Sequence, residues 1–558
     1  MPSIPNSIPF VDIHCHPTMK PFYSSVKHID KNNIWEYIPE SEACGIINEN
    51  PRWPIEKLIV KELDLMSKSS QTNLKSCQKG DVRVLFISLY PVERGWFKIR
   101  YSADVLTDNE FMTQSTICSS GFNEAVVREI ERIINDKEPI NYFDELVKEY
   151  DYLNSSQARL ADIKKQFIIA NSYEDIKTVI DKPEDNIVLI LSIEGGHSLC
   201  NFQNYDDLKN TPFHKVNNSK SKEFIKYSNL FLHHINIIKG KEEINIKRDG
   251  IEKTIHFKHT PFYITFAHHF WNLLCGHADS FGTGADFALD QHIGKEKKFS
   301  ALGKLVLRKL LFRDANERRI LIDIKHLSLK ARREFFNIWQ NEYQAIGDGF
   351  PIICSHTAVN GRYTYQHTDM IDEDFDAYFF NTASINMYDP DIKMIHKSGG
   401  LIGIILSQSR LLGSETLSTV KHHLKQIRKH PNRKAKLSAA NKRIFIKAIL
   451  ANIFHIVRVI GKKSAWDIIS IGSDFDGMIN GLKGYDKAEN YLDLYNDMND
   501  YIENDNGIKE INLSRNEMKQ LMFNYSSQEI IEKIMSKNAL VFTRRYFHDG
   551  FLKNGIIG

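Results

Sequence analysis

Apolar residues along this chain gather in eight short, nearly continuous runs, separated by longer stretches of helical period. The runs fall at residues 9–14, 83–89, 187–193, 262–267, 320–324, 351–354, 401–406 and 468–472. Continuous apolar character over so few residues predicts strands buried on both faces. Between them, residues 301–312, 329–345 and 444–460 space their apolar positions as helices do. Strand then helix, about eight times over, predicts an α/β fold of the TIM (β/α)8 barrel type. An open doubly wound sheet is the alternative. No G-x-G-x-x-G follows the first strand, and Gly282-Thr-Gly284 is too brief for a phosphate loop.

Four stretches exceed what such a scaffold needs, near residues 17–80, 100–180, 200–260 and 413–443. Residues 242–257 alternate on both sides of Asp249-Gly250, a hairpin signal. Residues 421–436 are basic and lack interleaved aromatics, so they read as a solvated helix face, and the acidic stretch 486–505 reads as another solvated surface. With no repeats and no low-complexity linker, the expectation is a single barrel domain over 1–558, its insertions packed on the barrel.

Composition narrows the class. The chain has 558 residues, 42% of them hydrophobic, and a net charge of +3, which gives no electrostatic case for nucleic acid. Its seven cysteines are scattered with no C-x-x-C, which argues against a disulfide framework and for a reducing compartment. The N-terminus has neither a basic start nor a continuous apolar core, and no run is long enough to span a bilayer. The expectation is a soluble cytoplasmic protein with no membrane anchor; a homo-oligomer remains open.

Chemistry enters at the strand ends, which in a barrel converge on one mouth. In Phe10-Val-Asp-Ile-His-Cys-His-Pro17, His14 and His16 are two apart on a strand and share a face. Two imidazoles converging before a proline suit a divalent metal. Glu194 ends the third run, and His268 follows the fourth, His326 the fifth, His356 the sixth and Asp474 the eighth. Each alone reads as a loop or capping residue. Together they predict a metal site.

The motifs Ser192-Ile-Glu-Gly-Gly-His-Ser-Leu199, Ile264-Thr-Phe-Ala-His268, Leu321-Ile-Asp-Ile-Lys-His-Leu-Ser328, Pro351-Ile-Ile-Cys-Ser-His356, Gly399-Gly-Leu-Ile-Gly403 and Gly472-Ser-Asp-Phe-Asp-Gly477 resemble the amidohydrolase superfamily. Within it they resemble the membrane (renal) dipeptidase family, peptidase family M19. The likeness implies a binuclear site, usually two Zn2+ ions. His14 and His16 would hold one metal and His326 and His356 the other, with Glu194 bridging. It further implies amide (C–N) hydrolysis of a small, dipeptide-like substrate by a metal-bridging hydroxide. Asp474 would shuttle the proton, and His268 would contact substrate and stabilise the oxyanion. The neighbouring His269 reads as structural.

Two departures stand out. The family has His-x-Asp where this chain has His14-Cys-His16, which leaves the site one unit more positive. The family's carboxylate-gripping arginine is missing from the matching place, Ala383-Ser-Ile-Asn386. Arg362 is the substrate-binding candidate in its stead, with Arg410 as the other, since a guanidinium suits a carboxylate. Rival readings are a hydrolase of lactones, cyclic amides or other amides, and a non-catalytic binding barrel. The filled metal and proton-transfer positions weigh against the last.

Overall fold

Eight parallel strands follow one another round the sheet, and the polar residues at their carboxyl ends meet in the middle. The computed structural model describes residues 9–24, 33–49, 51–98, 109–159, 167–181, 186–248, 250–280, 289, 291–365 and 380–553. In chain order the principal strands are β1 (Phe10–Cys15), β2 (Val82–Leu89), β3 (Phe167–Ile169), β4 (Ile187–Glu194), β5 (Ile244–Arg248), β6 (Ile251–Ile255), β7 (Tyr263–Thr265), β8 (Leu321–Asp323), β9 (Ile353–Thr357), β10 (Leu401–Ile404) and β11 (Ile469–Ile471). The barrel path is β1-β2-β4-β7-β8-β9-β10-β11, every neighbour parallel. Each of the eight predicted runs contributes one of these strands.

The sheet is nearly closed. Beyond β11, the Asp474 amide donates to the His14 carbonyl oxygen (2.9 Å) and the His16 amide to that of Phe475 (2.9 Å). Asp12 locks this seam, accepting from the Ser473 amide (2.9 Å), the Ser473 hydroxyl (2.5 Å) and the Tyr491 hydroxyl (2.8 Å). The three-residue β3 pairs with the start of β4, ahead of the point where β7 takes over that edge. It is too short to leave a periodic signal.

All of β1 and all of β4 are buried, as strands covered on both faces must be. Burying one such Val, Leu or Ile side chain is worth about 1.5–3 kcal/mol. Helices lie between successive strands, among them Ala301–Leu311, Leu329–Ile338 and Lys434–Ile460. Among the described residues no helix is long and apolar enough to cross a membrane.

The insertions have structure of their own. β5 and β6 form the expected antiparallel hairpin, although Asp249 at its turn and Gly282-Thr-Gly284 lie outside the described residues. Much of the basic stretch lies on the helix Ser414–Lys429, where Lys421 pairs with Glu62 (3.1 Å) and Arg428 with Asp64 (2.6 Å). One expectation needs correcting. Cys44 and Cys118, 74 residues apart, form a disulfide that ties the helix Ala43–Glu49 to the helix Asn109–Ser120. Sequence spacing carries no hint of this pairing, because only the packing of two insertions brings the thiols together. The other five cysteines are free and buried.

Candidate active site

The first two histidines take their orientation from the strand walls. His16 Nδ1 lies 3.1 Å from the Ser88 carbonyl oxygen, which can only accept, so Nδ1 carries the proton and Nε2 presents a lone pair. Ser355 Oγ donates to Asp323 Oδ2 (2.6 Å) and is left to accept from His14 Nδ1 (3.2 Å) and His356 Nδ1 (2.8 Å). One hydroxyl thus sets the tautomer of two rings on different strands, the usual role of groups behind a metal ligand. Asp323 is held in turn by the Thr265 hydroxyl (2.7 Å) and the amides of Lys325 and Ser355 (both 3.0 Å).

Glu194 stands between two imidazole pairs. Its Oε1 and Oε2 lie 3.4 Å from His14 Nε2 and 2.9 Å from His16 Nε2. Across the mouth, His326 Nε2 and His356 Nε2 lie 3.6 and 3.5 Å from Oε1. Asp474 Oδ1 closes the first side, 3.7 Å from His14 Nε2 and 3.5 Å from His16 Nε2. Ligand atoms of His14, His16, Glu194 and Asp474 lie within 4.8 Å of one another, as do those of Glu194, His326 and His356.

His14 Nε2, His16 Nε2 and Glu194 Oε1 are buried without a hydrogen-bond partner. Leaving such atoms unsatisfied costs about 1–3 kcal/mol each, and a cation between them would satisfy all three. The donor set of imidazole nitrogens and carboxylate oxygens fits divalent zinc. The charges agree. Burial alone would lower the His16 pKa, but Glu194 and Asp474 override it and hold it at about 10. Burial, then the charge of His268, keeps His326 well below its ordinary value; burial, then His14, does the same for His356. His326 and His356 are thus in the neutral form that binds metal, whereas at His16 a cation would displace the proton that the two carboxylates favour.

Unusual backbone shapes the mouth. His326 and Asp474 have φ of 64° and 61°, sparsely populated for residues with a side chain. A Cβ on Gly477 would sit 2.2 Å from Asp474 Oδ1, so the last glycine of Gly472-Ser-Asp-Phe-Asp-Gly477 makes room for the carboxylate. Gly195 (φ 86°) leaves space for the His197 ring, which a Cβ would meet at 2.3 Å.

His268 Nε2 lies 3.6 Å from Glu194 Oε1, while Nδ1 lies 2.5 Å from Glu93 Oε2. Glu93 also accepts from the Phe270 amide (3.1 Å). Burial lowers the His268 pKa, but Glu194 and Glu93 outweigh it, and the net direction is up. Conversely, burial would raise Glu93, and the charges of His268 and His197 bring it down. His269 bonds Ser280 Oγ through Nδ1 (2.7 Å).

Over these groups opens a cavity of about 580 Å³, whose lining includes Glu194, His268, His326, His356, Asp474 and Arg410. Arg362 is half-buried and outside that lining; its carbonyl accepts from the Asp389 amide (3.0 Å).

Residues 263–522 match the family described as membrane dipeptidase, peptidase family M19. This stretch is similar to the M19 peptidase family. It includes His268, His326, His356 and Asp474, whereas His14, His16, Glu93 and Glu194 precede it. No curated protein matches the chain significantly. Similar solved structures include the probable dipeptidase PvdM from Pseudomonas aeruginosa, at 14% identity over 85% of this chain and 88% of that chain, with a TM-score of 0.43. Another is a metallo peptidase from Rhodobacter sphaeroides, liganded with a phosphinate mimic of the dipeptide L-Ala-D-Ala. It shows 11% identity over 97% and 99% of the two chains, with a TM-score of 0.46.

The M19 motifs do not name every residue that shapes the site. Glu93 stands four residues past the end of β2, a strand whose carboxyl end carries no recognised motif; a tally of polar residues after all eight strands would have reached it. Asp323 and Lys325 lie inside the motif around His326 and read there as spacers.

Proposed function

We propose that the chain is a metal-dependent hydrolase of amide bonds in small, dipeptide-like substrates. His14 and His16 would hold one divalent cation, His326 and His356 a second, and Glu194 would serve both. Bound there, such a pair supplies an activated water and polarises the substrate carbonyl. The protein's own groups do the rest. Asp474 accepts the water's proton and returns it to the departing amine. His268, kept protonated by Glu93, donates through Nε2 to the developing oxyanion.

The observation that carries this reading is Glu194 between two imidazole pairs, with three buried atoms turned inward and unsatisfied. The test is metal content per chain on protein purified without chelator, beside a His14→Ala/His16→Ala control, followed by a dipeptide panel. About two ions, fewer in the control, with turnover of a dipeptide would support it. No metal after reconstitution would sink it. Lactones and cyclic amides belong in the panel, because no arginine stands at residues 383–386. The Cys44–Cys118 bond favours an oxidising compartment over the cytoplasm expected from cysteine spacing.

A further inference from the structure

Buried cations in this fold are neutralised almost without exception. Among the described residues, Lys20, Lys68, Arg94, Lys239, Arg319 and Arg332 are buried and each faces a carboxylate. Lys325 is the departure. It is 1% exposed, and its Nζ has no hydrogen-bond partner. An isolated buried ammonium is costly, and folds normally pair it.

A second cation shares its surroundings. Lys325 and Arg410 both line the cavity over the Glu194 cluster. The Arg410 guanidinium donates through Nη2 to the Ser280 carbonyl oxygen (2.7 Å), and no described carboxylate stands within ion-pairing distance of it. The other acids on the cavity wall are engaged elsewhere: Glu62 with Lys421 (3.1 Å) and Asp279 with Lys295. Asp474 lines that same cavity, so the two cations and the proton-transfer carboxylate open onto one space. Asp474 is the group that would hand a proton to the departing amine, so the cavity that holds both cations would also hold the fragment that leaves with that amine.

A single α-carboxylate there would satisfy the Arg410 fork and leave the Lys325 charge uncovered. We propose that Lys325 and Arg410 form a two-cation receptor for a leaving fragment that bears two carboxylates, so that the preferred substrates are dipeptides or N-acyl amino acids ending in Asp or Glu. This rests on the hydrolase reading for its reaction, though not for its binding.

Isosteric pairs isolate the charge. On metal-loaded protein, kcat/KM for Ala-Glu and Ala-Asp is compared with Ala-Gln and Ala-Asn, and free glutamate with free glutamine by calorimetric titration. The acidic partner is expected to lead by about tenfold or more in each comparison, the scale of one hydrogen bond to a charged group. Lys325→Met should remove most of that lead, with metal content and melting temperature measured to confirm an intact fold; Lys325→Arg should restore part of it. Equal values for acidic and amide partners in the unaltered protein would overturn the receptor whatever the variants do. Glutamate binding that depends on Lys325, without turnover of any dipeptide, would support the receptor and remove the hydrolase reading.

Discussion

The two halves of the site present the same side chain, imidazole, in opposite electrostatic settings. His14 and His16 face Glu194 and Asp474, and those carboxylates hold His16 at about 10. His326 and His356 share only Glu194, and the positive charge of Lys325 adds to the forces that hold both rings well below their ordinary value. One half attracts positive charge strongly and the other weakly. Imidazole count is therefore a poor guide to affinity here, since the groups behind and beside the rings set how firmly each position holds a cation. Stepwise dialysis against a chelator should release one ion per chain well before the other. Simultaneous release would break the comparison.

Glu194 is the one carboxylate that faces both imidazole pairs, so its loss should have the largest effect. Glu194→Gln is expected to strip both positions and reduce kcat/KM by about 10⁴-fold. Metal analysis decides the point: an amide that still holds two ions would mean that the imidazole pairs suffice. Asp474 borders only the first half. Asp474→Asn should lower kcat by about 10²- to 10³-fold, the range of a lost general acid–base, and weaken metal retention at one position only. A near-normal rate in that variant would remove its proton-transfer role without touching the fold.

A smaller effect comes from behind His268. The Glu93 carboxylate at 2.5 Å favours the protonated ring, and an amide in its place does not. In Glu93→Gln the His268 pKa should fall. Because the protonated ring is the donor, activity is lost as pH rises through that pKa, so the alkaline limb of the kcat profile should move to lower pH. A loss of about tenfold at pH 8 is expected, with less at pH 6. An unmoved alkaline limb would make Glu93 a structural residue only.

How far the sequence could take this depends on what each feature leaves in it. The eight barrel strands are legible because burial on both faces writes a continuous apolar run. Histidines and acids at their ends are legible because few other residues there carry metal-binding chemistry. The layer beneath is not. Ser88, Ser192 and Ser355 are ordinary-looking strand residues, yet Ser355 positions His14 and His356, and Ser88 bonds Ser192 across two strands at 2.8 Å. Lys325 was visible in Leu321-Ile-Asp-Ile-Lys-His326, but only burial without a partner gives it meaning. Cys44 and Cys118 meet through insertions whose packing no local pattern encodes.

The smallest predicted effect separates the two arginines that could stand in for the missing one. Arg410 lines the cavity, as Lys325 does, and Arg362 lies outside the lining. Arg362→Ala should change kcat/KM by less than about twofold, as substitutions away from a site usually do. Arg410→Lys keeps the charge and loses the planar fork, so it should raise KM for acidic dipeptides more than it lowers kcat. If Arg362→Ala proved the more damaging of the two, the carboxylate would be gripped from the segment after β9. Lys325 and Arg410 would then owe their place in the cavity lining to something other than substrate.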